Sequence, residues 1–479
     1  MSKVGPDDPR YQTLIRGFNL RWAGKPAFIQ VCGDTGQVER TVQEAVDAKR
    51  RITVRSGGHC YEDFAVGNDG GVIVDTAPMN RVYYDDARRA YCIEAGCTLW
   101  NVYWNLYKEY DVALPAGSCY SVGAGGHITG GGYGLLSRLH GLTVDWLTGV
   151  EIVVVDADGR AHAATVTADS HGDERELLWV NQGGGGGNFG IVTRFFFREL
   201  PPAPPEAYVA NLAWDWSAMT PGKFARLVQA YGDFLRENSA PGSPFAGLFT
   251  LLHLTHKSAS QIVLTIQNVG SGAGPVEELV ERMRHAVGPF VPQVVPVGRH
   301  FHPMRHNDVT AMPWLYATQT FDPSGPNQYG KYKSAYMKQP FPDAQIAKMW
   351  THLTNDSDVP QALLQVDSYG CRINAVDSEA TAVPQRSSIM KLQYQTYWNN
   401  PLEQDENLRW IRAFYDDMYG PEGPLPNATM DGCYVNYPDT DLRDWARLYY
   451  LDSYPRLQRV KKRWDPGNVF HHGQSIRLP

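Results

Sequence analysis

Two glycine-dense stretches restrict this chain more than any other feature: Arg55-Ser56-Gly57-Gly58-His59-Cys60-Tyr61 and Gly117-Ser-Cys119-Tyr-Ser121-Val122-Gly123-Ala-Gly125-Gly126-His127-Ile-Thr-Gly130-Gly-Gly-Tyr133-Gly134. Glycine adopts positive φ without a steric cost and lets backbone approach a ligand closely, so main-chain N–H groups can converge on phosphate oxygens. The two stretches therefore read as two walls of one site for a pyrophosphate-bearing cofactor. Each wall carries a side chain capable of covalent chemistry, His59 in the first and Cys119 in the second. A third run, Gly183 to Gly187 followed by Asn188-Phe-Gly190, leads into the apolar segment 191–197 and reads as a turn feeding a buried strand. None of the three has the G-x-G-x-x-G with a suitable acidic partner, or the G-x-x-x-x-G-K-[ST], that nicotinamide and P-loop sites require.

Around these loops the first two hundred residues alternate β-branched runs (27–31, 52–54, 71–75, 150–156) with helix-like stretches (38–49, 99–109), an α+β or α/β pattern. Prolines at 201, 202, 204 and 205 can continue neither a helix nor a central strand and mark a boundary. A chain of 479 residues exceeds the ~250–300 at which one core stops growing, so two domains are expected. Residues 207–430 again mix apolar strands with longer helical patterns, consistent with an antiparallel sheet flanked by helices that would form the substrate half. The segment 445–464 reads as a closing helix that stops at Asp465-Pro-Gly467.

A net charge of −7, with no basic run longer than Lys461-Lys462-Arg463, offers no footprint for nucleic acid. No segment approaches the ~18–20 apolar residues of a membrane span, and the N-terminus lacks a signal-peptide core. The expected location is the bacterial cytoplasm, or outside the cell if a leader has been trimmed. The seven cysteines have neither zinc-type spacing nor the look of a disulfide framework, so no metal is expected. The 26 tyrosines and 13 tryptophans suit a pocket that stacks on rings or sugars. The expected partner is a small molecule, bound by a monomer or homodimer.

These motifs, together with Asp8-Pro-Arg-Tyr11, Arg16-Gly-Phe-Asn-Leu-Arg-Trp22, Tyr434-Val-Asn436-Tyr437-Pro-Asp439 and Trp464-Asp-Pro-Gly-Asn-Val-Phe470, run the length of the chain. In them the sequence resembles the berberine bridge enzyme-like flavoproteins of the vanillyl-alcohol oxidase superfamily, and within these the oxidases of sugars and antibiotic sugar moieties. The resemblance implies a two-domain α+β fold, with residues 1–200 binding FAD, 201–432 binding substrate and 433–479 returning to the FAD-binding domain. It implies FAD bonded through its 8α-methyl to His59 and through C6 to Cys119. Imidazole nitrogen and thiolate sulfur are suited to such bonds near neutral pH. Further cofactor contacts would come from Arg55, Ser56, Gly57, Gly58, Gly123, Gly125, Gly126, His127, Gly130, Gly187, Asn188, Gly190, Ile191 and Tyr437.

For the chemical step the resemblance gives Tyr434 as base, with Tyr437 the second choice, Tyr133 as another tyrosine at the site and Lys391 of Lys391-Leu-Gln393 as the positive charge favouring phenolate. Tyr61, Gln365, Tyr369 and Gln393 would line the substrate pocket, and the modest side chain of Val122 would leave room for oxygen. The implied reaction is oxidation of a secondary alcohol or lactol of a carbohydrate or glycosylated natural product, with O2 reduced to H2O2. Two other readings keep the flavin: ring closure, desaturation or amine oxidation, and binding without turnover. The chain departs from the common family wording at Asn181-Gln182-Gly183 and at Ser121, where Gly or Thr is frequent.

Overall fold

The computed structural model describes residues 2–293, 309–321 and 325–479. Three sheets organise them, in an α+β arrangement. In the first, Phe28–Val31, Val72–Asp75 and Ile52–Arg55 are parallel neighbours, with Ser2–Val4 antiparallel at the edge. Parallel strands need a crossover, and the helix Thr35–Asp47 supplies one. The Asp34 side chain accepts from the Gln37 N–H at its start, and Val38, Thr41, Val42 and Ala45 form its buried stripe. The second sheet is antiparallel, in the order Val82–Asp85, Ala90–Glu94, Ile191–Phe197, Gly149–Val155, Ala161–Thr167.

The proline-rich segment lies between the strand Ile191–Phe197 and Glu206–Asp215, a strand of the third sheet. That sheet has seven antiparallel strands in the order Thr310–Pro313, Glu206–Asp215, Gln261–Asn268, Leu248–Thr255, Leu363–Ser368, Met390–Trp398, Tyr329–Met337. The helices Gly274–Val287 and Gln404–Tyr419 pack directly on it, with Pro221–Asn238 and Asp343–Leu353 beside them. One face of the sheet is covered in this way. Because side chains alternate along a strand, every second residue is left to the opposite face.

The C-terminal part reaches back to the first sheet. Phe470 forms a parallel bridge with Ile52, and the Ile476 N–H donates to Asn188 Oδ1 at 2.9 Å. Lys461, fully buried, donates to the carbonyls of Asn188 and Phe470 and pairs with Asp465 at 2.6 Å. The single closing helix expected over 445–464 is instead two, Trp445–Tyr450 and Tyr454–Trp464, separated by a short 3-10 turn. Leu451 takes φ +46°, which ends the first helix, and Pro455 suits the opening turn of the second. Among the described residues no helix is long and apolar enough to cross a membrane.

Candidate active site

A cavity of about 920 Å³ opens between the glycine loops and the uncovered face of the seven-stranded sheet. This lies near the top of the ~300–1,000 Å³ usual for small-molecule sites. The two glycine stretches meet backbone against backbone. A Cβ at Gly57 would lie 2.3 Å from the Gly123 nitrogen, and one at Gly123 would lie 2.1 Å from the Gly57 nitrogen. Only glycine at both positions permits the contact, and the contact brings His59 and Cys119 to one wall. The Ser121 hydroxyl stands between them, 2.8 Å from His59 Nε2 and 3.9 Å from Cys119 Sγ. Burial pushes the His59 pKa down to about 4, so its imidazole is neutral at neutral pH.

Most residues singled out from the sequence line this cavity: Arg55, Ser56, Gly57, Gly58, Gly123, Gly125, Gly126, His127, Gly187, Asn188, Gly190, Ile191, Val122, Tyr61, Tyr133, Gln365, Gln393, Tyr434 and Tyr437. Three do not. Gly130 faces the C-terminal loop, where a Cβ would lie 1.9 Å from Asn436 Oδ1. Tyr369 is fully buried behind the wall and its hydroxyl donates to the Gln385 carbonyl. It shares the parity of Gln365 and Asp367, but the strand ends at Ser368 and Gly370 at φ +92° turns the chain away. Lys391 is fully buried too, and it acts on the cavity only through its neighbours.

Those neighbours bear on one expectation. Lys391 Nζ donates to the Tyr437 hydroxyl at 3.0 Å and lies 4.4 Å from the centre of that ring. The Tyr434 ring centre is 5.6 Å away, and the Tyr434 hydroxyl instead accepts from Asn436 Nδ2 at 3.0 Å. The ammonium expected beside Tyr434 thus lies nearer to Tyr437 and to Tyr133, whose ring centre is 4.8 Å from Nζ. Burial pushes the Tyr434 phenol up to about 12 against the Asn436 donor and the nearby backbone, and pushes Tyr437 well above 10. The Tyr133 phenol is also raised well above 10 by burial and by Asp367, and it donates to the Ser368 carbonyl. Arg55 spends its charge on Asp75, 2.9 Å from Nε, and is no free anion ligand.

The sheet face supplies a row of polar groups in register. Tyr397 Oη donates to Gln395 Oε1 at 2.7 Å, Gln395 Nε2 to Gln365 Oε1 at 3.0 Å, and Gln365 Nε2 to Asp367 Oδ1 at 2.7 Å. Asp367 pairs with Lys391 directly across the sheet, which carries the row to Tyr437. Gln393 donates to the Tyr61 hydroxyl at 2.9 Å, and Tyr61 stacks on Tyr332 with ring centres 3.5 Å apart. Sequence reasoning missed Asp367, Gln395 and Tyr397, although their period-two spacing with Gln365 and Gln393 was a usable signal, and it missed His253, which meets Gln365 only through the pairing of two strands. Behind the row, buried Lys331 donates to Glu62 Oε1 and Asp439 Oδ1, both at 2.6 Å. It thereby ties the loop that follows His59 to the loop that follows Tyr437.

The opposite wall fits a flavin nucleotide. A Cβ on Gly126 would meet no atom within 4 Å, and one on Gly187 none nearer than 3.9 Å, although both residues line the cavity. Any side chain there would project into the ligand's space, so the backbone itself is left to face the ligand. His127 and His472 also line it, held neutral by burial at about 4 and about 3.

Residues 26–165 match the family model described as FAD binding domain, and residues 433–477 match that described as berberine and berberine like. Fold and site thus define an FAD-dependent oxidoreductase. The whole chain is 40% identical to aclacinomycin-N/aclacinomycin-A oxidase of Streptomyces galilaeus, covering 90% of it. It is 38% identical to hexose oxidase of Chondrus crispus, over 98% of this chain and 93% of that one. Glycopeptide hexose oxidase DBV29, solved in complex with teicoplanin, superposes with a TM-score of 0.92 at 37% identity, over 99% of this chain and 98% of that one. The chain belongs to the berberine bridge enzyme-like family.

Proposed function

We propose that the protein is an oxidase that converts a secondary alcohol or lactol of a neutral sugar, free or attached to a natural product, to a ketone or lactone, with FAD bonded to both His59 and Cys119. The observation that carries this reading is a single cavity lined by His59, Cys119 and a lysine-backed tyrosine, Tyr437. Alcohol oxidation needs a base for the hydroxyl proton while hydride leaves the carbinol carbon. Tyr437 takes that proton, and the Lys391 ammonium 3.0 Å from its oxygen supports the negative charge there. Asp367 holds Lys391 in place and is itself held by Gln365. Bound FAD supplies the hydride acceptor and passes the electrons to O2, yielding H2O2.

Tyr434 keeps the C-terminal loop seated on the glycine wall through Asn436, whose Nδ2 also reaches the His127 carbonyl at 3.0 Å. The row of amides, with Tyr61 and Tyr397, offers donors and acceptors without an unpaired charge, a surface matched to hydroxyl groups. The substrates in the names of the aclacinomycin, hexose and glycopeptide hexose oxidases accord with this reading. Val122, on the wall beside Cys119, leaves space for oxygen.

The test joins two readouts. Intact mass of the acid-denatured protein should rise by one FAD, and a panel of neutral sugars and glycosides should release peroxide. Unmodified protein, or flavin that no sugar or glycoside reduces, contradicts the reading. Val122→Leu should slow reoxidation by O2 several-fold in rapid mixing while leaving reduction by substrate unchanged; an unaltered oxygen rate removes Val122 from this role.

A further inference from the structure

The Ser121 hydroxyl reaches both side chains proposed to bond the flavin. Its oxygen is 2.8 Å from His59 Nε2 and 3.9 Å from Cys119 Sγ. The placement is built in. The Val122 N–H donates to the Cys119 carbonyl at 3.2 Å, folding the segment into a turn, and the Ser121 carbonyl packs against Gly57. Phe18 stacks on the His59 ring with centres 4.4 Å apart at 18°, which fixes the plane of the imidazole. The ring makes no other hydrogen bond among the described residues.

A neutral imidazole has one N–H and one lone pair, and the partner of one nitrogen decides what the other carries. His59 is held neutral by burial. A hydroxyl both accepts and donates, so Ser121 Oγ can accept from Nε2–H while its own hydrogen turns to sulfur. That arrangement leaves the lone pair on Nδ1 and turns a donor toward the Cys119 sulfur, which favours its nucleophilic form.

We propose that Ser121 is a positioning residue for both covalent bonds, fixing His59 as the tautomer whose Nδ1 is nucleophilic and donating its hydroxyl hydrogen to Cys119 Sγ. The inference rests on the doubly bonded flavin of the proposed function. At each site a C–N or C–S bond forms and a hydrogen leaves the flavin carbon as a proton. The second proton comes from the imidazole, at Nε2 where Ser121 sits, or from the thiol. The two electrons go to the flavin and then to O2, which takes up both protons as H2O2.

Two backgrounds isolate the bonds: Cys119→Ala leaves only the histidine bond, and His59→Ala only the cysteine bond. In each, Ser121, Ser121→Ala and Ser121→Thr are compared in protein produced with limiting riboflavin and then given FAD in air. The rate at which intact mass gains one FAD is followed, with total bound FAD and Tm as measures of folding. Ser121→Ala should slow mass gain at least tenfold in both backgrounds at unchanged total FAD, and Ser121→Thr should restore it. Equal rates with and without the hydroxyl, or no recovery with threonine, overturn the assignment. If neither parent background gains covalent FAD, the doubly bonded flavin itself fails, and the role of Ser121 with it.

Discussion

The two walls of the cavity are made of different material. The wall formed by 55–61, 117–134 and 185–190 presents backbone and small side chains, and its shape depends on atoms that are missing: Cβ at Gly57, Gly123, Gly126 and Gly187. The wall formed by the seven-stranded sheet presents side chains in register, Gln365, Gln393, Gln395, His253 and Tyr397, on a backbone whose hydrogen bonds are already made within the sheet. A wall of backbone can be altered only by moving the chain. A wall of side chains can be re-cut one residue at a time, which suits a family holding one cofactor and many substrates.

The largest effect is expected from Gly123→Ala. Gly123 has an ordinary φ of −78°, so the substitution brings no backbone strain, only a Cβ 2.1 Å from the Gly57 nitrogen. The loops must part, and bound FAD should fall more than tenfold. Full FAD occupancy in this variant would mean that the close approach is not what shapes the wall.

Next in size is Tyr437→Phe. General base catalysis contributes ~10²–10⁴-fold, so turnover should fall by a factor in that range at unchanged FAD content, while Tyr434→Phe should cost less than tenfold. The reverse order would return the base to Tyr434 and leave the Lys391 contact without a catalytic role.

The smallest effect should come from Gln395→Ala, which removes one amide from the row and leaves the backbone ladder intact. Loss of a hydrogen bond worth ~1 kcal/mol predicts a rise in KM of about fivefold with kcat nearly constant. A collapse of FAD binding here would erase the distinction between the walls.

The same contrast explains what could be read from the sequence. The glycine wall is written in contiguous residues, because close backbone approach is a local demand met by residue type, and there the loops were legible before any strand was placed. The strands at 28–31, 52–55, 72–75 and 191–197 were legible as apolar β-branched runs for a similar reason. Lys391 on Tyr437 was not, since it depends on how the strand Met390–Trp398 registers against the loop at 434–437. Tyr434 and Tyr437 stand at the two ends of one turn, closed by the Tyr437 N–H on the Tyr434 carbonyl at 2.9 Å, and their hydroxyls go to different partners. Nothing in Tyr-x-Asn-Tyr says which ring the ammonium will meet. Tyr369 shows the limit of parity, which predicts a face only as far as the strand continues.

The return of Phe470 to Ile52 has a consequence for the order of events in a cell. At ~5–20 residues per second, a ribosome that has made the strand Ile52–Arg55 needs roughly 20 seconds or more to deliver the residues that close over it. During that interval the glycine loops exist without Tyr437, His472 or Phe470, each of which lines the finished cavity. Cofactor capture therefore waits for the segment 433–477, and a truncation that removes it should yield apoprotein however much of the glycine wall is retained.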